Sequence, residues 1–408
     1  MTNMTKKELI SVAKQRYLKA DKRDKGKILD EFCGNIGYNR NYAVRILQAG
    51  YDNNLVAHRG RKHRKNKYDS RTILAAEKIW KLLDFPCGQR LQPMLAPMME
   101  CLIAHGEMNV SEQVLRQLKT ISAKTLDRKL KPERVRRRLR RNRGTTRHGS
   151  LLKSSIPIRL TNWDTSKAGF MEMDTVAHNG GDPAGEFIYS LDMVEIYSGW
   201  SEQYAVMGKG ETVVVNAINA VKTGLPFHLK GLDSDSGGEF INWHLVRYCD
   251  KHKLFFTRSR PDRKNDNAYV EQKNNTHVRR WLGYGRYDTE QQLDAMNDLY
   301  RNELRLFNNF FRPVMKIIAK EKINNSVCRK KYDVAATPYQ RLLASKQISR
   351  EQKQKLTTVY LSLNPMKLKN IIDQKIKKIR AMKQKNRATQ TYKLNVPTNG
   401  AKLTFLDD

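Results

Sequence analysis

Residues 227–240 read "FHLKGLDSDSGGEF", an apolar run that passes into three carboxylates around a Gly-Gly pair. Phe227, Leu229 and Leu232 predict a strand over 227–235, and Gly237-Gly238 the turn that ends it. The flanking segments set the fold around that strand. "AGFMEMDTVAH" (168–178), "EFIYSLDMVEIYSGW" (186–200) and "SEQYAVMGK" (201–209) are rich in Phe, Ile, Tyr and Val and bounded by Gly, as strands are. "ETVVVNAINAVKTG" (211–224) and "INWHLVRYCDKH" (241–252) have helical periodicity, and "LFFTRSRP" (254–261) is a further strand stopped by Pro261. Helices follow in "NDNAYVEQKNNTHVRRWLG" (265–283) and "TEQQLDAMNDLYRNELRLFNNFF" (289–311). Three strands in tight succession, then alternation with helices, predict an α/β domain with a mixed sheet and helices on both faces.

The charge is unevenly distributed. The chain has 408 residues with 77 Lys and Arg against 41 Asp and Glu, a formal charge of +36. Residues 161–290 hold 15 basic and 18 acidic residues, so the flanks carry 62 and 23. The flanks therefore suit a polyanion, and the middle tolerates or needs acids. The most apolar stretch, "MLAPMMECLIA" (94–104), is short and interrupted by Pro97 and Glu100, and "MTNMTKKELI" has no apolar signal core. Nucleic acid is the expected partner, with no membrane. Cys33, Cys87, Cys101, Cys249 and Cys328 lie far apart with no C-x-x-C, which argues for reduced thiols in an intracellular, cytoplasmic chain.

The N-terminal flank reads as α-helical, with two helix-turn-helix units. In "KGKILDEFCGNIGYNRNYAVRILQAG" (25–50), Gly37 supplies a turn and the second helix presents Arg40 and Arg45. In "SEQVLRQLKTISAKTLDRKL" (111–130), Ser122 caps a helix whose basic stretch runs through Lys124, Thr125 and Arg128. Two basic runs serve as linkers along phosphates: "HRGRKHRKNK" (58–67), and "RVRRRLRRNRGTTR" (134–147) with Arg134, Arg136, Arg137, Arg138, Arg140 and Arg141. The expected organisation is a helix-turn-helix domain (1–55), a basic linker (56–70), a second helix-turn-helix domain (71–132), an Arg-rich linker (133–160) and a catalytic core (161–312). A basic C-terminal α/β region (313–408) for DNA binding or assembly completes it, with a hairpin around Asn399-Gly400.

Three carboxylates fall at telling places. Asp174 lies inside the first strand, Asp235 at the end of the fourth, and Glu271 on the helix after the fifth, with 35 residues between the last two. Buried strand positions avoid Asp unless its charge is offset, and a divalent cation does this well. The segments "MEMDT", "SDSGGEF" and "NAYVEQKN", in this order and spacing, resemble the D, D-35-E signature of the retroviral integrase superfamily. More narrowly, the chain resembles the integrase-like transposases of bacterial insertion sequences. Ser236 stands where that group usually has Asn.

The resemblance implies a ribonuclease H-like core and a polynucleotidyl transferase that cleaves DNA ends and transfers strands. Asp174, Asp235 and Glu271 would be the catalytic residues and would hold two Mg²⁺ or Mn²⁺ ions, with Asp174 bridging both. It further implies double-stranded DNA partners, namely terminal inverted repeats and target DNA, and a homodimer or larger synaptic assembly at the nucleoid. Two other readings use the same fold: a nuclease that cuts without joining, and a DNA-binding regulator with a vestigial core. On the helix of Glu271, positions 267, 275 and 279 share one face, making Asn275 and Arg279 candidate DNA contacts. Lys273 and Arg280 point roughly the opposite way and are expected in solvent or on a second DNA. Asp233 shares a strand face with Asp235, one strand step further from the turn. Glu239 is expected to cap or orient the following helix, and Asp192 to be structural.

Overall fold

The computed structural model describes residues 3–48, 67–137, 167–234, 239–240, 242–258, 268–322 and 328–382. Asp235 with the Gly237-Gly238 turn, Asn267, Arg138, Arg140, Arg141, most of the 58–67 run and the hairpin around Asn399 lie outside them.

Two compact units divide the chain at Lys67. The first holds three helices: α1 (Asn3–Lys19), α2 (Lys22–Ile36) and α3 (Arg40–Gln48). Asp21 caps α2 by accepting from Asp24 N at 2.8 Å, and Gly37, at φ +77°, ends it by donating to Cys33 O. Ile10, Tyr17, Ile28, Leu29, Phe32, Ala43 and Leu47 form its small core. Each large apolar side chain buried there contributes about 1.5–3 kcal/mol, so a unit this small has little stability to spare.

The second unit begins with α4 (Ser70–Leu82), α5 (Gly88–Ala104), α6 (Glu112–Thr120) and α7 (Ala123–Arg136). Ser122 caps α7 as its position predicts, accepting from Thr125 N at 3.2 Å. The apolar stretch around 94–104 is the core-facing side of α5, where Leu91, Met94, Leu95, Met98, Met99 and Leu102 are buried. Among the described residues no helix is long and apolar enough to cross a membrane. Gly88 admits α7 closely, since a Cβ there would stand 2.1 Å from Ala123 O.

The sheet follows: β1 (Phe170–Ala177), β2 (Ile188–Glu195), β3 (Ser201–Met207), β4 (Gly231–Ser234) and β5 (Phe255–Arg258), in the order β3-β2-β1-β4-β5. β1 pairs antiparallel with β2 and parallel with β4, so the sheet is mixed, as the element order predicts. Neighbouring positions of β2, from Ser190 to Glu195, are all buried whichever way they point. That requires cover on both faces. α8 (Glu211–Lys222) and α12 (Glu290–Leu299) pack on β3, and α10 (Ala268–Lys273) on β1 and β2. α9 (Trp243–Lys251) packs on α8 and β5.

α10 continues through a π-helical turn, Asn274–Arg279, into α11 (Arg280–Leu282). A second π-turn, Tyr300–Leu304, joins α12 to α13 (Arg305–Phe310). A hairpin of β6 (Ile317–Lys322) and β7 (Cys328–Tyr332) precedes α14 (Pro338–Ala344), α15 (Arg350–Ser362) and α16 (Pro365–Ala381). One hydrophobic cluster runs from Ala75 to Ile379, so the 71–132 helices and the C-terminal helices share a core with the sheet. Asp84 anchors that union, with Arg280 Nε at 2.9 Å and Arg312 at 3.3 Å. Asp84 and Phe85 both have φ near +60°, a strained corner for a Phe that is held by its edge contact with Trp80.

Candidate active site

Asp174 sits half-buried in β1 with Asp192 of β2 as its Cα partner. Its Oδ1 accepts from Thr175 N at 2.7 Å, and its Oδ2 accepts from Asn274 Nδ2 at 2.6 Å. Asn274 opens the π-turn three residues after Glu271, a spacing that makes the two neighbours on the helix surface. Glu271 itself is exposed. Two residues before Asp174, on the same strand face, the buried Glu172 accepts from Tyr269 N at 3.0 Å and Val270 N at 3.2 Å. The helix bearing Glu271 is therefore fastened to β1 on both sides of that residue.

Asp235 directly follows Ser234, the last described residue of β4, and the Cα partner of Ser234 in β1 is Met173, beside Asp174. Asp233 is fully buried opposite Glu172 and accepts from Thr257 Oγ1. Among the described residues no three His, Cys, Asp or Glu side chains gather as a metal-binding group, and only two of the three expected ligands are among those residues. What surrounds Asp174 still fits a hard cation. The donors are oxygens, and Asn274 Oδ1 is buried beside the carboxylate without a hydrogen-bond partner.

Asp192, expected to be structural, is fully buried and accepts from Gln203 Nε2 at 2.8 Å. Burial pushes its carboxyl up to about 7, against the opposing pull of Gln203 and Lys273. Two expectations about the helix are corrected. Lys273 does point away from Glu271, but that side faces the sheet rather than solvent. It is buried, with Nζ 3.2 Å from His277 Nε2, and burial, reinforced by Arg312, lowers its ammonium to about 7. Arg280 is held by Asp84. A third correction concerns Glu239. Asn242 caps α9, accepting from Leu245 N at 2.8 Å, while Glu239 Oε1 accepts from Thr175 Oγ1 at 2.7 Å and Lys209 Nζ at 2.8 Å. Burial would raise the Glu239 carboxyl, and these two donors outweigh it and hold it low.

The candidate DNA contacts are dispersed. Arg40 and Arg45 are exposed on α3, with Arg40 paired to Asp30. Lys124 and Arg128 are exposed on α7, and Thr125 is half-buried. Arg134 is tied to Asp127 at 3.2 Å, and Arg136 and Arg137 to Glu133 at 3.3 and 2.9 Å. Asn275 is exposed like Glu271, whereas Arg279 stacks over the Tyr284 ring at 4.9 Å. Asn274 and Glu172 escaped sequence reading. The "E-x-D" spacing in "MEMDT" was the signal available, since period-two geometry puts both acids on one face.

No protein-family description matches the chain. A curated relative does: "Uncharacterized protein y4rM" of Sinorhizobium fredii is 34% identical over 329 residues, spanning 80% of this chain and 92% of the relative. The chain belongs to the y4rM family. That name carries no activity, so function in the y4rM family has to be argued from the site. Among solved structures, the catalytic core domain of BIV integrase aligns at 16% identity over 44% of this chain and 97% of that one, with a TM-score of 0.28. The HTLV-2 integrase catalytic core domain in complex with magnesium aligns at 13% identity over 36% and 89%, with a TM-score of 0.27. At scores this low, the fold rests on the strand order and register described above.

Proposed function

We propose that the chain is a DNA transposase with a ribonuclease H-like core, which binds terminal inverted repeats and cleaves and joins DNA ends with Asp174, Asp235 and Glu271. The observation that carries this reading is the fastening of the Glu271 helix to the strand of Asp174, through Asn274 and Glu172. These attachments join the strand of Asp174 to the helix of Glu271, which supports a reading in which the two carboxylates serve one site. Asp235 enters on its sequence position, one residue past the partner of Met173.

The three acids would hold Mg²⁺ or Mn²⁺, two ions per site, through oxygen donors. Such ions would supply activation of an oxygen nucleophile and neutralisation of charge on the phosphate. The protein's own part is orientation: Asn274 fixes the Asp174 carboxylate, and the two β1 attachments fix the turn that presents Glu271. Exposed arginines of the N-terminal helices would grip the repeats, and a dimer or larger assembly would bring two ends together.

Labelled DNA ends carrying the inverted repeats that flank the coding region, mixed with target plasmid and Mg²⁺, test the reading. Joined products support it. Cleavage without joining would favour a nuclease, and binding alone a regulator.

A further inference from the structure

The first backbone N–H groups of a helix have no partner within it and are usually satisfied by a side chain just before the helix. α10 is different. Its second and third residues, Tyr269 and Val270, donate to Glu172 Oε2, whose carboxylate comes from β1, 97 and 98 residues earlier. Glu172 is fully buried, and Val270 is too. A buried carboxylate is costly unless hydrogen-bonded, and bonds from amides to a charged acceptor are stronger than neutral ones. The positive end of the helix adds to that attraction. Glu271 is the very next residue after Val270.

We infer that Glu172 is a positioning residue for the proposed reaction: its carboxylate clamps the start of α10 and so fixes where Glu271 presents its own. The inference rests on the reading of Glu271 as a catalytic acid. Asp174 and Glu172 then divide the strand face between them, one at the chemistry and one holding the helix that supplies the opposing acid. The clamp's bonds run between β1 and α10 within the second unit, so its loss should act on site geometry and leave DNA affinity nearly unchanged.

The test uses the full-length protein as wild type, Glu172→Ala, Glu172→Gln and Glu271→Gln. Native-state hydrogen exchange of the Tyr269 and Val270 amides reads the clamp without reference to activity. In wild type both amides should be protected. In Glu172→Ala their exchange should rise roughly tenfold or more, the Mg²⁺ concentration for half-maximal joining should rise roughly tenfold, and DNA affinity should stay within about twofold. Glu172→Gln, which keeps an acceptor oxygen, should recover most of both losses. Unchanged exchange in Glu172→Ala overturns the inference, as does faster exchange with an unaltered metal requirement. If the alanine variant does not fold, the wild-type amides decide: rapid exchange at either, with Val278 protected, overturns it. Full joining by Glu271→Gln would instead sink the proposed function, and the exchange data would still report on the clamp.

Discussion

Asn274 Nδ2 lies 2.6 Å from Asp174 Oδ2, a contact between residues 100 positions apart that ties the π-turn to the strand at the site. The same amide leaves its buried Oδ1 without a hydrogen-bond partner, so its orientation is set by the carboxylate alone. Asn274→Ala should lower strand joining by roughly 10- to 100-fold while DNA binding persists, because a small misplacement of a reacting group costs on that scale. Gel assays of joining and binding on the same preparation check this. Equal losses in both would show that the contact serves DNA binding instead.

Asp233 and Asp235 should separate cleanly. Asp235→Asn should reduce end cleavage and joining by roughly 10³-fold, leaving end binding intact. Asp233 is buried opposite Glu172 with Thr257 as donor, so Asp233→Asn should retain joining and lose about 1–3 kcal/mol of stability. An inactive, folded Asp233→Asn beside an active Asp235→Asn would place the site two residues earlier.

Asp84→Ala strands Arg312, whose side chain is 10% exposed and whose guanidinium burial has already lowered to about 10. Breaking a buried pair from one side costs roughly 3–5 kcal/mol. All five tryptophans lie beyond residue 67, so fluorescence-detected urea unfolding of the full chain reports the second unit alone. A shift under about 1 kcal/mol would mean that the Asp84 corner is dispensable.

His178 is fully buried, and burial, with Arg279 adding to it, depresses its imidazole to about 3. The unfolded chain takes up this proton below about 6.5 and the folded one does not, so the residue's contribution is lost as pH falls from about 6.5 towards 3. Relative to His178→Gln, wild type should therefore lose about 1.4 kcal/mol per pH unit between pH 6 and 4. A constant gap between the two stabilities across that range would contradict the assignment.

Arg45 is exposed on α3 and lies outside the small core of its unit. Arg45→Ala should weaken binding to repeat DNA and reduce the slope of log affinity against log salt by about one. An unchanged slope would remove α3 from the DNA interface.

The succession of strands and helices and the place of Asp174 were legible because runs of Phe, Ile, Tyr and Val bounded by Gly leave a strong imprint. The Ser122 cap and the Gly37 turn were equally plain, each being a local rule. What escaped depends on distant partners. Lys273 looks like a solvated charge until His277 and Asp192 are seen beside it, and Asp84 gives no hint of Arg312, 228 residues away. Glu172 reads as one more acid until the helix it caps arrives nearly a hundred residues later. The π-turns leave no mark either, because the one extra residue each carries follows no local sequence rule.

That extra residue has a consequence for the Glu271 helix. Winding these same residues, Asn274–Arg279, as an ordinary α-helix would swing everything from Arg280 onward by about 100°. Arg280 would leave Asp84, and Trp281 would rotate out of the core it shares with Phe307. The helix is two phases spliced end to end, one keyed to β1 and the other to the Asp84 corner. The turn between them works as the phase shift that lets a single rod satisfy both.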